Sequence, residues 1–249
     1  MTVSVEVREH VLVVRMERPE KRNAVDTQMA VGISDALDRL DDDPDLWVGI
    51  LTGTSDIFCA GTDLRDGIGA RTERGGEYGI IRRRRGKPLI AAVEGVAFGG
   101  GMEIALACDL VVASKLARFA LPETKRGLVP TSGALFRAFR ALPLHIAKQL
   151  MITGTELSGE RAYTLGLVNV LSEPGYAVEH ALQLAADICT SSPVAVQATL
   201  AAVASQFEAA DQDGWEATAR ATEVIAASED AREGINAFFE RRTPQWRGR

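Results

Sequence analysis

Apolar positions in the first sixteen residues follow a strand pattern twice. "VSVEV" (3–7) alternates apolar and polar side chains, "VLVVRM" (11–16) is nearly all apolar, and the polar "REH" between them predicts a β-hairpin with a more buried second strand. "ERPEKRNAVD" (17–26) breaks the pattern. From Thr27 to Leu40 the period changes. Met29, Ile33, Leu37 and Leu40 fall on one helical stripe, and the acidic "DDDPD" ends it before the strand-like "WVGILTG" (47–53). The rhythm recurs: "PLIAAVEGVA" (88–97) reads as a strand run, Gly100 to Cys108 as a helix, "DLVVAS" (109–114) as a strand and Ser132 to Leu142 as a helix. Such alternation predicts an α/β fold with parallel, buried strands. Past the short strand "LVNVL" (167–171) the pattern is purely helical from Tyr176 to Arg241, rich in Ala, with Pro193 opening one helix and Gly214 interrupting another region. This change of character divides the chain into a core, residues 1–193, and a helical region, residues 194–249, expected to pack on the core or on a neighbouring subunit. No repeat of fixed period stands out.

Composition narrows the partners. With 249 residues, 46% of them hydrophobic and 25% charged, the chain can bury a large core. A formal charge of −6 offers no bulk attraction for nucleic acid or an anionic membrane, so an anionic ligand must meet a local basic cluster, and a small-molecule partner is expected. Cys59, Cys108 and Cys189 lie far apart without CxxC or Cys/His spacing, which argues against a disulfide framework or a zinc site and for a reducing compartment. The N-terminus lacks a charged-then-apolar leader pattern and no run approaches ~18 apolar residues, so a cytoplasmic location is expected.

Candidate chemistry begins at "AFGGGMEIALACDL" (97–110), where three glycines lead into an apolar helix carrying one acid, Glu103. A helix start leaves N–H groups without intrahelical partners, and missing side chains let a ligand approach them. The stretch fits an anion site, for phosphate or a developing oxyanion, or else a tight strand-to-helix turn. It matches neither GxGxxG nor GxxxxGK[ST], which makes nucleotide phosphate the weaker target. "DIFCAGTDL" (56–64) is a second candidate, because a strand there runs into Ala60-Gly61 and the Thr62 N–H can point into a cleft at a strand end. Glu123 in "FALPETKRGLVP" (119–130) follows a strand and a proline. If Glu103 and Glu123 face one apolar pocket, their pKa values rise and the pair splits into a protonated acid and an ionised base. Taken singly, Glu103 also reads as a helix-start acid and Glu123 as a partner for Lys125 or Arg126.

In this order "ERPEKRNA", "FCAGTDL", "KPLIAAVEGVAFGGGMEIALACDLVVAS", "FALPETKRGLVPTSGALFR" and "GLVNVL" resemble the enoyl-CoA hydratase/isomerase superfamily, the crotonases, over nearly the whole chain. The resemblance implies a repeated ββα spiral core and a C-terminal helical part that mediates homotrimers, commonly paired into hexamers. It implies a coenzyme A thioester whose carbonyl oxygen is held by the backbone N–H groups of Thr62 and Gly100. The hydratase branch carries two catalytic glutamates at the positions matching Glu103 and Glu123, so the resemblance implies that Glu103 orients and deprotonates the water that attacks Cβ while Glu123 supplies the proton to Cα. By the same resemblance Lys21 and Arg22 lie near coenzyme A phosphate, the Ala24 backbone lies near adenine, and Ala60, Asp63 and Leu64 belong to the coenzyme A site. Coenzyme A is then part of the substrate; no separate cofactor and no metal are required. "FCAG.DL", "FALPE.K.G.VP.SG" and the ending "EDAREGINAFFERRTPQWRGR" are similar to the carnitinyl-CoA dehydratase (crotonobetainyl-CoA hydratase) branch, with acyl-pocket residues expected between Arg65 and Arg84.

Other features weigh less. "RRRRG" (82–86) lacks interleaved aromatics in an acidic chain and reads as a solvated helix end or as a contribution to coenzyme A phosphate binding rather than an RNA site. "PTSGA" lacks the glycine two residues before Ser132 that a nucleophile elbow needs. His145 reads as a helix-surface residue, His10 and His180 as residues without a partner, and Cys59 and Cys108 as small buried packers. The alternatives left open are a Δ3-Δ2 enoyl-CoA isomerase, which needs only Glu123, and a non-catalytic module that binds acyl-CoA or RNA.

Overall fold

The structure is a computed structural model and describes residues 2–65 and 71–249, so residues 66–70 of the stretch expected to line the acyl pocket lie outside the described residues. The expected hairpin is β1 (Val3–Arg8) against β2 (Val11–Met16), with Val3 opposite Met16. α1 (Thr27–Asp42) starts where the Asp26 carboxylate accepts the Met29 N–H at 2.8 Å, and it buries Met29, Ile33, Leu37 and Leu40. β3 (Val48–Thr52), β4 (Ile57–Cys59), the small ribbon β5 (Arg71–Thr72) and β6 (Gly76–Glu77), β7 (Leu89–Val93) and β8 (Val96–Phe98) follow. Next come α2 (Gly100–Ala107), β9 (Leu110–Ser114), β10 (Arg118–Ala120), α3 (Ala134–Ala141), α4 (Leu144–Thr153), β11 (Leu157–Ser158), α5 (Gly159–Thr164) and β12 (Val170–Ser172). The chain ends in α6 (Ala177–Cys189), α7 (Pro193–Ser205), α8 (Glu208–Ala226) and α9 (Glu229–Glu240).

Two sheets share the strands. The larger runs β1-β2-β3-β7-β9-β12 and is parallel apart from the hairpin; the smaller runs β11-β10-β8-β4 and is parallel apart from β11. In β3/β4, β7/β8 and β9/β10 the first strand joins the large sheet and the second the small one, so the chain winds as the ββα spiral of a crotonase-like α/β fold. Strand periodicity sorts the layers. Val48, Ile50, Ile90, Ala92 and Val112 face Ala177, Ala181 and Ala185 of α6, whereas Leu51, Leu89, Ala91, Val93, Val111 and Ala113 face the interior that α1 covers. Each fully buried Leu or Ile there stabilises the fold by about 1.5–3 kcal/mol.

Four readings need correction. "PLIAAVEGVA" is two strands, because at Glu94-Gly95 the chain leaves the large sheet for the small one. Buried Glu94 accepts the Gly175 and Ala177 N–H groups there, both at 3.0 Å, and so caps α6. Gly214 does not interrupt a helix: it lies inside α8, where a Cβ would come within 2.6 Å of the Phe136 ring. The arginine run is not a helix end, and it is solvated only in part: Arg82 and Arg84 are exposed, Arg85 is half-buried and Arg83 is buried. Arg82 pairs with Glu77 and stacks on Trp215, Arg83 is buried between Asp38 and Asp41, Arg84 meets Glu208 and Arg85 meets Asp109, so the run ties the segment before β7 to α1, α8 and the turn between α2 and β9. His10, too, has a partner, stacking on Trp47 with ring centroids 3.6 Å apart. His145 is exposed on α4, as read. Among the described residues no single helix is long and apolar enough to cross a membrane.

Candidate active site

Neighbouring strands of the small sheet deliver two loops to one place. β4 runs into Ala60-Gly61-Thr62 and β8 into Gly99-Gly100. Gly61 has φ +97°, and a Cβ on it would lie 3.0 Å from the Gly100 nitrogen and 3.0 Å from the Phe98 carbonyl oxygen. Only glycine lets the two backbones approach so closely. The flanking amides are used: Gly61 donates to the Cys59 sulfur, Asp63 to the Val25 carbonyl and Gly99 to the Ala120 carbonyl. The Thr62 and Gly100 N–H groups donate to no protein acceptor among the described residues. Gly100 is the first residue of α2, so the positive end of that helix adds to the donor character of the pair.

Both glutamates come to these loops, in unlike settings. Glu103, one turn into α2, is 2% exposed, and one of its oxygens accepts the Ser132 N–H at 2.7 Å and the Ala134 N–H at 3.1 Å. It therefore caps α3 rather than serving the start of its own helix. Burial pushes its carboxyl up to about 7, against those N–H groups, which favour the ionised form. Glu123 opens a 3₁₀ turn, Glu123–Arg126, after β10. The cations beside it are engaged elsewhere, Lys125 with the Gly154 carbonyl at 2.9 Å and Arg126 over the Phe238 ring at 4.6 Å. Among the described residues its Oε2 is buried without a hydrogen-bond partner, and its Oε1 reaches to within 3.1 Å of where a Gly99 Cβ would stand. Gly99, at φ +55°, thus gives Glu123 access to the loop. Burial first, and then the charge of Glu103, push the Glu123 carboxyl up to about 8.

The segment expected to meet coenzyme A is stitched to the same loop. The Ala60 N–H donates to the Arg22 carbonyl at 3.0 Å, Val25 to Gly61 at 2.8 Å and Asp63 to Val25 at 3.0 Å. Lys21 and Arg22 are exposed on a 3₁₀ turn, and Ala24 and Leu64 are half-buried. The Asp63 carboxylate is ion-paired with Arg18 at 2.8 Å, and the same guanidinium donates to the Ala24 carbonyl at 2.9 Å. Burial would raise Asp63, but the Arg65 N–H and Arg18 outweigh it and hold the carboxyl below its ordinary value. Buried Asn23 completes the clamp, accepting the Arg18 N–H at 2.7 Å and donating to the Ile57 carbonyl at 2.9 Å.

Sequence reasoning passed over Arg18, Asn23 and Tyr78 and set Ser132 aside as a failed nucleophile. Ser132 serves through its N–H. Tyr78 is 4% exposed, and its hydroxyl is 2.7 Å from Thr62 Oγ1, so it stands among the residues just described. Burial lifts both Cys59 and Cys108 to about 12, which leaves them as unreactive thiols.

A family model described as enoyl-CoA hydratase/isomerase matches residues 6–249. An enoyl-CoA hydratase of Mycobacterium tuberculosis, EchA19, is 38% identical over 98% of this chain and 96% of its own length. A carnitinyl-CoA dehydratase of Proteus mirabilis is 36% identical over 96% and 95% of the two chains. The crystal structure of a carnitinyl-CoA hydratase from Mycobacterium avium superposes with a TM-score of 0.94 at 38% identity, covering 100% of this chain and 99% of the other.

Proposed function

The chain belongs to the enoyl-CoA hydratase/isomerase family and is a hydro-lyase, and from that premise we propose that it adds water across the double bond of a 2-enoyl-CoA thioester. The observation that carries this reading is the pair of unlike carboxyls. Glu103, held by two N–H groups, is the ionised base; Glu123, without a hydrogen bond on Oε2, is the protonated acid. Glu103 takes a proton from water as its oxygen bonds to Cβ. The electron pair of the double bond moves toward the thioester oxygen, which the Thr62 and Gly100 N–H groups hold, and Cα receives the Glu123 proton. Lys21, Arg22 and the backbones of Ala24 and Ala60 bind the coenzyme A part of the substrate, with Asp63 and Leu64 shaping that wall.

The roles fix the pH dependence. Activity needs Glu103 ionised, so kcat/KM rises with pH through about 7; it needs Glu123 protonated, so kcat/KM falls through about 8. A narrow bell between these limbs is expected with crotonyl-CoA, and a flat profile from pH 5 to 9 contradicts the pairing. Turnover of crotonyl-, decenoyl- and crotonobetainyl-CoA, followed at the enoyl-thioester absorbance, tests the activity itself. Crotonobetainyl-CoA is included because of the carnitinyl-CoA relatives. Turnover of a 3-enoyl-CoA alone would move the isomerase reading ahead.

We also assign residues 1–193 to the acyl-CoA core and residues 194–249 to assembly as a homotrimer or a dimer of trimers. What supports this is apolar exposure: no residue of α7 is buried, Val194 is 76% exposed and Val224 in α8 is 69% exposed. Sedimentation at micromolar concentration should give three or six chains, and a single-chain species would count against the assignment.

A further inference from the structure

We propose that Tyr78 is a specificity-determining residue that closes the acyl side of the site and restricts it to short acyl groups, an inference that rests on the acyl-CoA reading above. Four observations place it there. Its ring lies on the Cα of Gly100, where a Cβ would stand 2.4 Å from the phenolic oxygen and 2.6 Å from Cζ. Its hydroxyl is hydrogen-bonded to Thr62 Oγ1 at 2.7 Å, so one side chain touches both residues whose N–H groups flank the thioester oxygen. The Ser132 hydroxyl sits beside both Tyr78 and Glu103, and the phenol feels the Glu103 charge. Among the described residues, Tyr78 is therefore a side chain that an acyl group held at the oxyanion pair meets on the side of Glu103.

The ring is held, not hinged. Tyr78 has φ +56°, a conformation a bulky side chain rarely adopts, between Gly76 at +65° and Gly79 at +77°. Gly79 abuts α1 so tightly that a Cβ would lie 2.2 Å from the Ala30 carbonyl oxygen. Arg83, buried against Asp38 and Asp41 at 2.6 and 2.9 Å, pins the segment to the same helix. Backbone strain that the surroundings enforce this firmly clusters at functional positions, and the proposed chemistry leaves the Tyr78 hydroxyl unused. A long alkyl chain must displace the ring, break the bond to Thr62 and lay methylenes against unpaired hydroxyls, a loss that a four-carbon acyl group avoids.

The test compares chain lengths in the wild type, Tyr78→Phe and Tyr78→Ala. For hydration, kcat/KM with crotonyl-CoA should exceed that with 2-decenoyl-CoA by about 100-fold in the wild type, the scale on which pockets reject surplus methylenes. Tyr78→Ala should shift that ratio toward decenoyl by roughly 10-fold or more, and Tyr78→Phe, which keeps the ring but loses its anchor, should shift it less in the same direction. Dissociation constants for butanoyl-CoA and decanoyl-CoA, which carry no double bond to hydrate, should follow the same order. A wild type that takes both lengths equally, or folded variants with an unchanged ratio, overturns the proposal. If no enoyl thioester is hydrated but saturated thioesters are still sorted by length at Tyr78, the hydratase reading fails and the present one stands.

Discussion

Glu103→Gln is expected to lower kcat for hydration of a 2-enoyl-CoA by about 10²–10⁴-fold, the range spanned by a positioned acid or base, with little change in substrate binding. The amide keeps the shape of the carboxyl and leaves an oxygen to accept the Ser132 and Ala134 N–H groups, so α3 stays capped and the fold is preserved. What it loses is the ability to take a proton from water. Glu123→Gln should cost as much for the complementary reason, since an amide has no proton to give to Cα. The double variant should lose less than the two single losses summed on a logarithmic scale, because the carboxyls act as a unit. An isomerase responds differently, with Glu103→Gln mild and Glu123→Gln severe on a 3-enoyl-CoA. Wild-type hydration by Glu103→Gln would falsify the two-carboxylate mechanism.

The unlike character of the two acids was legible only in part. Apolar surroundings for each follow from its flanking residues, but the groups that separate the pair come from far along the chain. The N–H donors to Glu103 belong to Ser132 and Ala134, and no local spacing announces a helix start 31 residues away that needs an acceptor. The fold was more legible where a periodic face is buried on one side. The α1 stripe and the α/β rhythm could be read because burial selects every third or fourth residue of a helix and alternate faces of a strand. The same logic fails in "PLIAAVEGVA", where β7 is buried on both faces and so shows no alternation, and where Glu94 is itself buried at the turn, so that one acid and one glycine are all that mark the change of sheet. Tyr78 escaped for another reason. Its position is set by backbone contacts around Gly76 and Gly79 and by ion pairs to α1, interactions that leave no period in the sequence. The glycines of "GGEYG" were the one available signal.

Gly100→Pro should lower kcat about 10²–10³-fold beyond any loss in Gly100→Ala, the cost of deleting one oxyanion donor, about 2.7–4 kcal/mol. The comparison with alanine is needed because a Cβ at this position would stand 2.4 Å from the Tyr78 hydroxyl, so any side chain must displace that ring. Alanine brings the steric change and keeps the N–H; proline brings a similar change and removes it. The helix itself tolerates the substitution, because Gly100 is the first residue of α2, its N–H has no intrahelical acceptor, and proline's fixed φ suits that position. Circular dichroism should therefore be the same for the two variants. The residual rate of Gly100→Pro should reflect the Thr62 N–H alone, with the carboxyls still in place. If Gly100→Ala is already as slow as Gly100→Pro, displacement of Tyr78 accounts for the loss and the Gly100 N–H has no demonstrated part in holding the thioester oxygen.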